Sequence, residues 1–248
     1  MNKKLTKKTI CIINPNTSLA MTKQIRITAN NLETESFKIK TTCSEFGPES
    51  IEGYYDEAFC VPGIINEIKK HQDCDAYIIA CFDDTGIDAS RSFTDKPVLG
   101  IGECCYHVAN LLGGNFTVIT TLSRSIAKLK SNLSKYGLIQ NCNDLIALEI
   151  PVLELKKNSS NVEKKLDETI NNLVNSKKTD VIVLGCAGMT DFADKIQKKY
   201  KIPVIEGISA SIQIAQAMLN LNLKTSKLNA YAYPRQKEYL GEFNRFKP

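Results

Sequence analysis

Short runs of apolar residues alternate with longer amphipathic stretches along this chain. The apolar runs are four or five residues long and rich in Ile and Val, a pattern typical of strands buried on both faces. They predict strands at 9–13, 37–42, 76–80, 97–100, 115–120, 145–149, 180–184 and 203–205. The intervening stretches predict helices near 19–31, 85–93, 103–112, 123–136, 160–176, 188–200 and 208–220, and a long loop followed by a helix across 48–71. This alternation indicates an α/β protein with mostly parallel sheets.

The second half of the pattern repeats the first at an offset of 105 or 106 residues. Three landmarks recur in the same order: a strand that ends in polar residues, a strand that ends at a cysteine, and a proline that opens a short strand. They are Asn14, Cys81 and Pro97 in the first half, and Thr120, Cys186 and Pro203 in the second. Three coincidences in one order predict two pseudo-symmetric lobes, each a short, mostly parallel sheet flanked by helices.

The repeat also predicts where each lobe begins and ends. We expect residues 1–100 and 206–248 to form the first lobe and residues 101–205 the second. The polar and aromatic tail from Lys224 onward is expected to pack along the first lobe. Because ligands bind outside the carboxyl ends of parallel strands, the active site is predicted in the cleft between the lobes.

Composition and charge indicate which classes of binding partner are not expected for this chain. The content of 43% apolar and 24% charged residues is ordinary for a globular protein. The net charge of +5 comes from scattered lysines, whereas nucleic-acid binding needs basic residues gathered on one face, so no nucleic-acid partner is expected. No apolar stretch approaches the roughly 18 residues of a membrane span, and the run Ile10–Ile13 is too short for a signal peptide. We therefore expect a cytoplasmic protein without a membrane partner, its nine cysteines reduced.

Cys81 and Cys186 are the candidate chemical groups, since each follows a predicted strand at its carboxyl end. A metal site needs clustered ligands and a redox site favours Cys-x-x-Cys, but the chain has no such motif and its two histidines are isolated. We therefore expect no metal and no cofactor. Nucleophilic acyl transfer stays open, because a distant base can arrive through folding.

The symmetric arrangement favours acid–base chemistry. Two thiols on opposite sides of one cleft can remove a proton from a carbon and return one to its other face, which is racemisation without a cofactor. A thiol has an unperturbed pKa of about 8.5, and a helix N-terminus lowers it. Candidate helix starts follow both cysteines, at Asp83–Thr85 and Ala187–Thr190. Their backbone N–H groups are placed to hold developing negative charge.

At these residues the chain resembles the aspartate/glutamate racemase superfamily and, within it, the hydantoin/allantoin racemase branch. The matching segments are Ile13–Ser18 (INPNTS), Gly47–Gly53 (GPESIEG), Ala80–Asp88 (ACFDDTGID), Pro97–Glu103 (PVLGIGE) and Leu184–Met189 (LGCAGM). The chain departs from the pattern at Cys104 and Cys105, where relatives tend to have alanines; we expect both to be small core residues.

The resemblance implies roles for individual residues. Cys81 and Cys186 are implied as the two acid/bases, one for each enantiomer, and Asn14 with neighbouring backbone amides as contacts for the substrate ring. Further predicted substrate contacts lie beside these residues or at the position that corresponds to Asn14: they are Phe82, Asp83, Thr120, Thr121, Ala187 and Gly188. The resemblance also implies a small-molecule substrate and a homo-oligomer.

Our leading hypothesis is a racemase of 5-substituted hydantoins or allantoin. Racemisation of an open-chain acidic amino acid is an alternative, and it needs cations for which Arg91 and Arg124 are the candidates. A maleate isomerase-like or decarboxylase-like lyase with one nucleophilic cysteine is a second alternative. A binding module that has lost its chemistry is a third.

Overall fold

The computed structural model describes residues 7–157 and 159–248, which form two successive rounds of strand and helix. The first round consists of β1 (Lys8–Asn14), α1 (Leu19–Asn30), β2 (Phe37–Cys43), α2 (Tyr54–Lys70), β3 (Ala76–Ile79), α3 (Ile87–Phe93), β4 (Val98–Gly100) and α4 (Ile101–Leu112). The second consists of β5 (Phe116–Thr120), α5 (Ile126–Lys135), β6 (Cys142–Ala147), α6 (Glu154–Lys157), α7 (Ser159–Asn175), β7 (Val181–Leu184), α8 (Ala193–Tyr200), β8 (Val204–Glu206) and α9 (Gly207–Asn220). Short 3-10 helices cover Ser123–Ser125, Ala187–Phe192, Asn229–Tyr231 and Gly241–Phe246.

The strands form two four-stranded sheets. Their orders are β2-β1-β3-β4 and β6-β5-β7-β8, and every neighbouring pair is parallel. Corresponding strands therefore occupy corresponding places, which confirms the predicted α/β class with two pseudo-symmetric sheets. In each sheet the strand that precedes a candidate cysteine is internal, so both cysteines follow fully buried strands.

Local backbone conformation moves some predicted boundaries. The helix expected from residue 85 begins at Ile87, because Asp84 and Gly86 have left-handed backbone conformations with φ of 52° and 73°. The helix expected from residue 188 starts as the 3-10 segment Ala187–Phe192 before α8 continues it. Both differences lie directly after a candidate cysteine, where the chain turns sharply away from the strand.

One apolar cluster joins the two sheets. It contains Ile12 and Ile78 of the first sheet and Val118 and Val183 of the second, together with α4 and α9. The two helices pack side by side. Because this core is continuous, the lobe boundaries stay a prediction. Cys104 and Cys105 lie inside the cluster, at 1% and 0% exposure, as expected for core residues.

Each helix that follows the last strand of a sheet begins at a carboxylate. In the first lobe, Asp84 accepts hydrogen bonds from the N–H groups of Gly102 (3.0 Å) and Glu103 (2.8 Å) at the start of α4. A Cβ atom on Gly100 would lie 2.0 Å from Asp84 Oδ1, so only glycine leaves room for this carboxylate. Negative charge at a helix N-terminus is stabilising.

The second lobe caps its helix with a different residue. Glu206, the last residue of β8, accepts hydrogen bonds from the N–H groups of Ile208 and Ser209, both at 2.8 Å, at the start of α9. The Thr190 hydroxyl donates to the same carboxylate at 3.1 Å. The capping carboxylate thus comes from the strand itself and not from the loop after the cysteine.

The tail packs on the first lobe, as predicted. Lys227 Nζ donates hydrogen bonds to the carbonyl oxygens of Arg91, Ser92 and Thr94 at the end of α3. Tyr231 donates to Asp88 at 3.0 Å. The tail therefore holds the helix that follows the Cys81 loop. Within the described residues, no helix is long and apolar enough to cross a membrane.

Candidate active site

A pocket lies between the carboxyl ends of β3 and β7, and both candidate cysteines belong to its wall. The wall consists of Asn16, Met21, Ile51, Ala80, Cys81, Phe82, Asp83, Thr120, Thr121, Ser125, Val152, Gly185, Cys186 and Ala187. About 40 Å³ of this space is open to the centres of water molecules, room for about three ordered waters. The two thiols therefore share one small cleft, as the repeat predicted.

The structure brings most of the predicted contact residues into this wall, but not Asn14 or Gly188. Asn14 is completely buried, and its Nδ2 donates to Asn16 Oδ1 at 2.7 Å and to Thr22 Oγ1 at 3.0 Å. Gly188 lines a smaller neighbouring cavity, and its N–H donates to Cys186 Sγ at 3.4 Å. Asn14 therefore lies behind the wall, where it holds Asn16.

Asn16 is a wall residue that the sequence reasoning missed. Its Oδ1 accepts the N–H of Ser18 at 2.9 Å, an Asx turn of the kind that Asn-x-Ser sequences favour. This turn leaves Nδ2 with one weak contact, to Met21 Sδ at 3.5 Å, and places it at the pocket. The Asn-x-Ser turn sequence within the segment Asn14–Ser18 is the signal that could have identified Asn16 as a wall residue. Met21, Ile51, Ser125, Val152 and Gly185 were missed as well.

The Cys81 thiol is held by the turn that follows β3. Its sulfur lies 3.5 Å from the Thr85 hydroxyl, and the backbone N–H of Asp83 also points to it. Desolvation raises the pKa of Cys81 well above the usual value, and the Asp83 carboxyl raises it further. The two hydrogen bonds lower this pKa without overcoming the desolvation.

The Cys186 thiol, like that of Cys81, has a backbone N–H as a hydrogen-bond partner, and among the described residues it has fewer hydrogen-bond partners than Cys81. It caps the 3-10 segment Ala187–Phe192, where its sulfur accepts the N–H of Gly188. Desolvation raises the pKa of Cys186 to about 11, and the carboxyls of Asp83 and Glu52 contribute in the same direction. Each thiol therefore accepts an N–H from the residue two positions further along the chain.

Comparison with known proteins decides the family. The family model for Asp/Glu/Hydantoin racemase matches residues 10–215, which is most of the chain. This chain belongs to the Asp/Glu/Hydantoin racemase family. Membership makes it an enzyme of the isomerase class.

Individual members of the family are similar over nearly the whole length. Hydantoin racemase of Pseudomonas sp. (strain NS671) is 38% identical over 239 residues, 96% of each chain. Hydantoin racemase of Rhizobium meliloti is 39% identical over 234 residues, 94% of this chain and 97% of that one. The solved structure of allantoin racemase from Klebsiella pneumoniae superposes with a TM-score of 0.94 at 34% identity, over 98% of this chain and 100% of that one.

The cations of this racemase-family chain lie outside the described wall of the pocket. Arg91 forms an ion pair with Glu103 at 2.5 Å, and both side chains are mostly buried. Arg124 is exposed and lies against Gly53, where an added Cβ atom would be 3.2 Å from its Nε. Neither candidate cation for a substrate carboxylate thus reaches the pocket wall.

The loops of the two lobes meet over the pocket. Glu52 Oε1, from the loop before α2, accepts the N–H of Val152 at 2.9 Å. The neighbouring Ile51 and Val152 side chains belong to the wall. This hydrogen bond therefore ties one lobe to the other at the cover of the site. Among residues 7–157 and 159–248, no group of His, Cys, Asp and Glu is arranged to hold a metal ion.

Proposed function

We propose that this chain is a cofactor-independent racemase of 5-substituted hydantoins or allantoin, with Cys81 and Cys186 as its two acid/base groups. One observation carries the proposal: two thiols follow corresponding strands of two pseudo-symmetric sheets and face one cleft. Lobes comprising residues 1–100 with 206–248 and residues 101–205 would each supply one thiol. The relatives named hydantoin racemase and allantoin racemase support the choice of substrate.

In the proposed reaction, one cysteine thiolate removes the proton from C5 of the ring. The electron pair left on C5 delocalises into the neighbouring carbonyl, which becomes an enolate. The thiol on the opposite side then gives its proton to the other face of C5 as the C–H bond reforms. The reaction consumes no proton overall, and the two cysteines exchange roles for the opposite enantiomer.

The polarity of the pocket favours a cyclic amide over an acidic amino acid. No Lys, Arg or His is present in the wall that the structure describes, and the ionisable wall residue other than the cysteines is Asp83. A dicarboxylate placed there would lose its hydration without gaining a cation, which is costly. A hydantoin ring is uncharged and offers N–H donors and carbonyl acceptors, which suit Asp83 and the amide of Asn16.

The matched surroundings of the thiols favour two acid/bases over a single nucleophile. A maleate isomerase-like or decarboxylase-like lyase needs one activated cysteine and one proton donor. Here both sulfurs are desolvated, and both accept an N–H from the residue two positions on. This pairing supports transfer of a proton in either direction.

The decisive experiment follows loss of the C5 proton in heavy water by NMR. The substrates are enantiopure allantoin and 5-alkyl and 5-aryl hydantoins, with aspartate for the open-chain alternative and an enzyme-free control for spontaneous exchange. We expect accelerated exchange for a cyclic substrate, with matching loss of optical rotation. Acceleration for aspartate alone would support the open-chain alternative, and no acceleration for any compound would overturn the proposal.

A further inference from the structure

A second, smaller cavity, which we call the side cavity, lies beside the pocket that contains both cysteines. Its wall is formed by α1, by residues 152–155 at the start of α6, and by the first residues of the 3-10 segment after Cys186. Three residues belong to the walls of both spaces: Met21, Val152 and Ala187. The main pocket and the side cavity are therefore neighbours, and the side chains of these three residues lie between them.

The side cavity begins next to the sulfur of Cys186. Gly188 belongs to the wall of this cavity, and its N–H donates to Cys186 Sγ at 3.4 Å. A Cβ atom on Gly188 would lie 3.6 Å from that sulfur and 2.8 Å from Leu155 Cδ1, so a larger residue would fill the space between them. The corresponding residue of the first lobe is Asp83. The glycine therefore leaves a space open beside one of the two sulfurs.

The wall of the side cavity is mostly apolar. Met21 and Ile25 lie four residues apart on α1, so they share one face of the helix. Ile25 and Leu155 are 1% and 2% exposed, which fixes both side chains in the core. Gln24 supplies the polar side chain of the described wall, and it donates a hydrogen bond to Asp191. An apolar group gains by entering such a space, whereas a polar group would lose its hydration there.

A reaction between two thiols leaves the ring and its substituent different directions in which to extend. Each face of C5 meets one sulfur, so the ring and the 5-substituent both lie between the sulfurs and point away from C5 on different sides. The wall of the main pocket contains polar residues that suit the N–H and carbonyl groups of the ring: they are Asn16, Asp83, Thr120, Thr121 and Ser125. Met21 and Val152 are apolar residues of the same wall, and the side cavity lies beyond them.

We propose that the side cavity receives the 5-substituent of the substrate, and that this chain prefers hydantoins with a short alkyl substituent over allantoin. The inference rests on the proposed racemase function and adds to it the substituent that the ring carries. About 10 Å³ of the side cavity is open to the centres of water molecules, room for about one ordered water. A short alkyl group fits this space when the flexible thioether of Met21 turns aside. The ureido group of allantoin instead brings N–H and carbonyl groups that an apolar wall leaves without partners.

The first test compares kcat/KM of the wild-type enzyme for 5-methylhydantoin, 5-isopropylhydantoin, 5-benzylhydantoin and allantoin, each corrected for spontaneous racemisation. We expect 5-isopropylhydantoin to exceed allantoin by about 10–100-fold, because a buried polar group without partners lowers binding by about that factor. It should exceed 5-methylhydantoin by about fourfold for each added carbon that is buried, and 5-benzylhydantoin should fall below it. A kcat/KM for allantoin equal to or above that for 5-isopropylhydantoin would overturn the inference. An enzyme that is inert toward every cyclic substrate would instead refute the proposed function.

The second test enlarges the side cavity. We expect Leu155→Ala to raise kcat/KM for 5-benzylhydantoin relative to 5-methylhydantoin by about tenfold, because the ring then has room beside Cys186. Leu173→Ala is the matched control: it truncates a leucine of the same apolar cluster that lies outside the described walls of both spaces, and it should leave the ratio unchanged. Both substrates are measured on one preparation, so a loss of folded protein cancels from the ratio. An unchanged ratio in Leu155→Ala would contradict the inference.

The third test makes the boundary of the side cavity polar. Met21→Gln keeps the length of the side chain and adds an amide that can bind the ureido group. We expect kcat/KM for allantoin to rise about fivefold relative to 5-isopropylhydantoin, which corresponds to one added hydrogen bond. Met218→Gln, at a half-buried position on α9, is the control and should not alter this ratio. The same ratio in both variants would mean that the substituent lies elsewhere and would overturn the inference.

Discussion

In the first lobe, Cys81 is followed by Phe82 and two aspartates, whereas in the second lobe Ala187, Gly188 and Met189 follow Cys186. The sheets behind them have the same strand order, and both sulfurs accept an N–H at the same spacing. The scaffold therefore fixes the place of each thiol, while the residues that follow set the charge around it. The two lobes thus share their strand order but differ in the charged residues beside the thiol.

The helix caps show the same separation of form from residue. The third residue of β4 is Gly100, and the carboxylate that caps α4 comes from Asp84 in the cysteine loop. The third residue of β8 is Glu206, which caps α9 itself. Both lobes thus place a carboxylate at the start of the helix that follows their last strand. In the first lobe the carboxylate comes from the loop after the cysteine, and in the second it comes from the strand itself. Each helix needs a cap because its first backbone N–H groups have no partner within the helix, but the residue that supplies the cap differs between the lobes.

Removal of either thiol is expected to have the largest effect, and it tests whether the two lobes supply equivalent acid/base groups. We expect Cys81→Ser and Cys186→Ser each to lower racemisation by about 10²–10⁴-fold, because a serine hydroxyl does not replace a thiol as acid or base. Optical rotation and C5 proton exchange measure the effect. Cys43→Ser, a half-buried cysteine at the end of β2, is the control and should keep wild-type turnover. Near-normal turnover in either single variant contradicts the two-base mechanism.

The pH dependence of stability should belong mainly to the first lobe. The pKa values of Asp83 and Asp84 are raised to about 7, so the folded protein binds these protons more tightly than the unfolded chain, whose aspartates have pKa values of about 3.9. The part of the free energy of unfolding that these two carboxyls contribute therefore falls as pH rises from about 4 to 7. Asp83→Asn should remove up to about 4 kcal/mol of that fall.

Urea unfolding at about pH 4.5 and pH 7.5 measures this difference. Asp144→Asn, which changes an exposed carboxyl on β6, provides the control in the second lobe. A difference between wild type and Asp83→Asn that is the same at both pH values would show that the Asp83 carboxyl is not protonated preferentially in the folded state.

The space left by Gly100 can be filled to test the capping of α4. A methyl group on Gly100 would overlap Asp84 Oδ1, so we expect Gly100→Ala to destabilise the protein by about 2–3 kcal/mol. The shift of the urea midpoint at constant slope reports it. Gly114→Ala is the matched control, because its added Cβ would lie at an ordinary 3.4 Å from Asp180. Equal midpoints for the two variants would mean that the Asp84 carboxylate moves aside freely.

The hydrogen bond between the loops should give the smallest effect. Glu52→Ala removes the acceptor for the Val152 N–H, and a hydrogen bond of about 1 kcal/mol corresponds to a roughly fivefold rise in KM. Steady-state kinetics measures this change. Glu49→Ala, an exposed position on the same loop, should leave KM unaltered. An unchanged KM for Glu52→Ala would show that the contact does not stabilise the substrate-bound pocket.

The parts of the fold that were predictable are those with buried strands. Runs such as Asp180–Cys186 are apolar because both faces of the strand are covered, so periodicity identified them and placed both cysteines. The pocket wall was less predictable. Ile51 and Val152 lie on loops that meet across the lobes, and no local pattern encodes that meeting. The sequence pattern placed Asp84 at a helix start. Its left-handed backbone conformation instead depends on its contact with α4, which lies further along the chain.

The close packing of α4 against α9 bears on how the two lobes can move. A methyl group on Gly207 would lie 2.7 Å from Ile101 Cβ, so the two helices touch at backbone distance inside the shared core. Because the two helix starts pack this closely, we expect the two lobes to move little relative to each other. We therefore expect substrate to enter by displacement of the loops that carry Ile51 and Val152, on the microsecond-to-millisecond scale of such motions. A molecule that bridges these two loops from outside would thus arrest turnover without touching either sulfur.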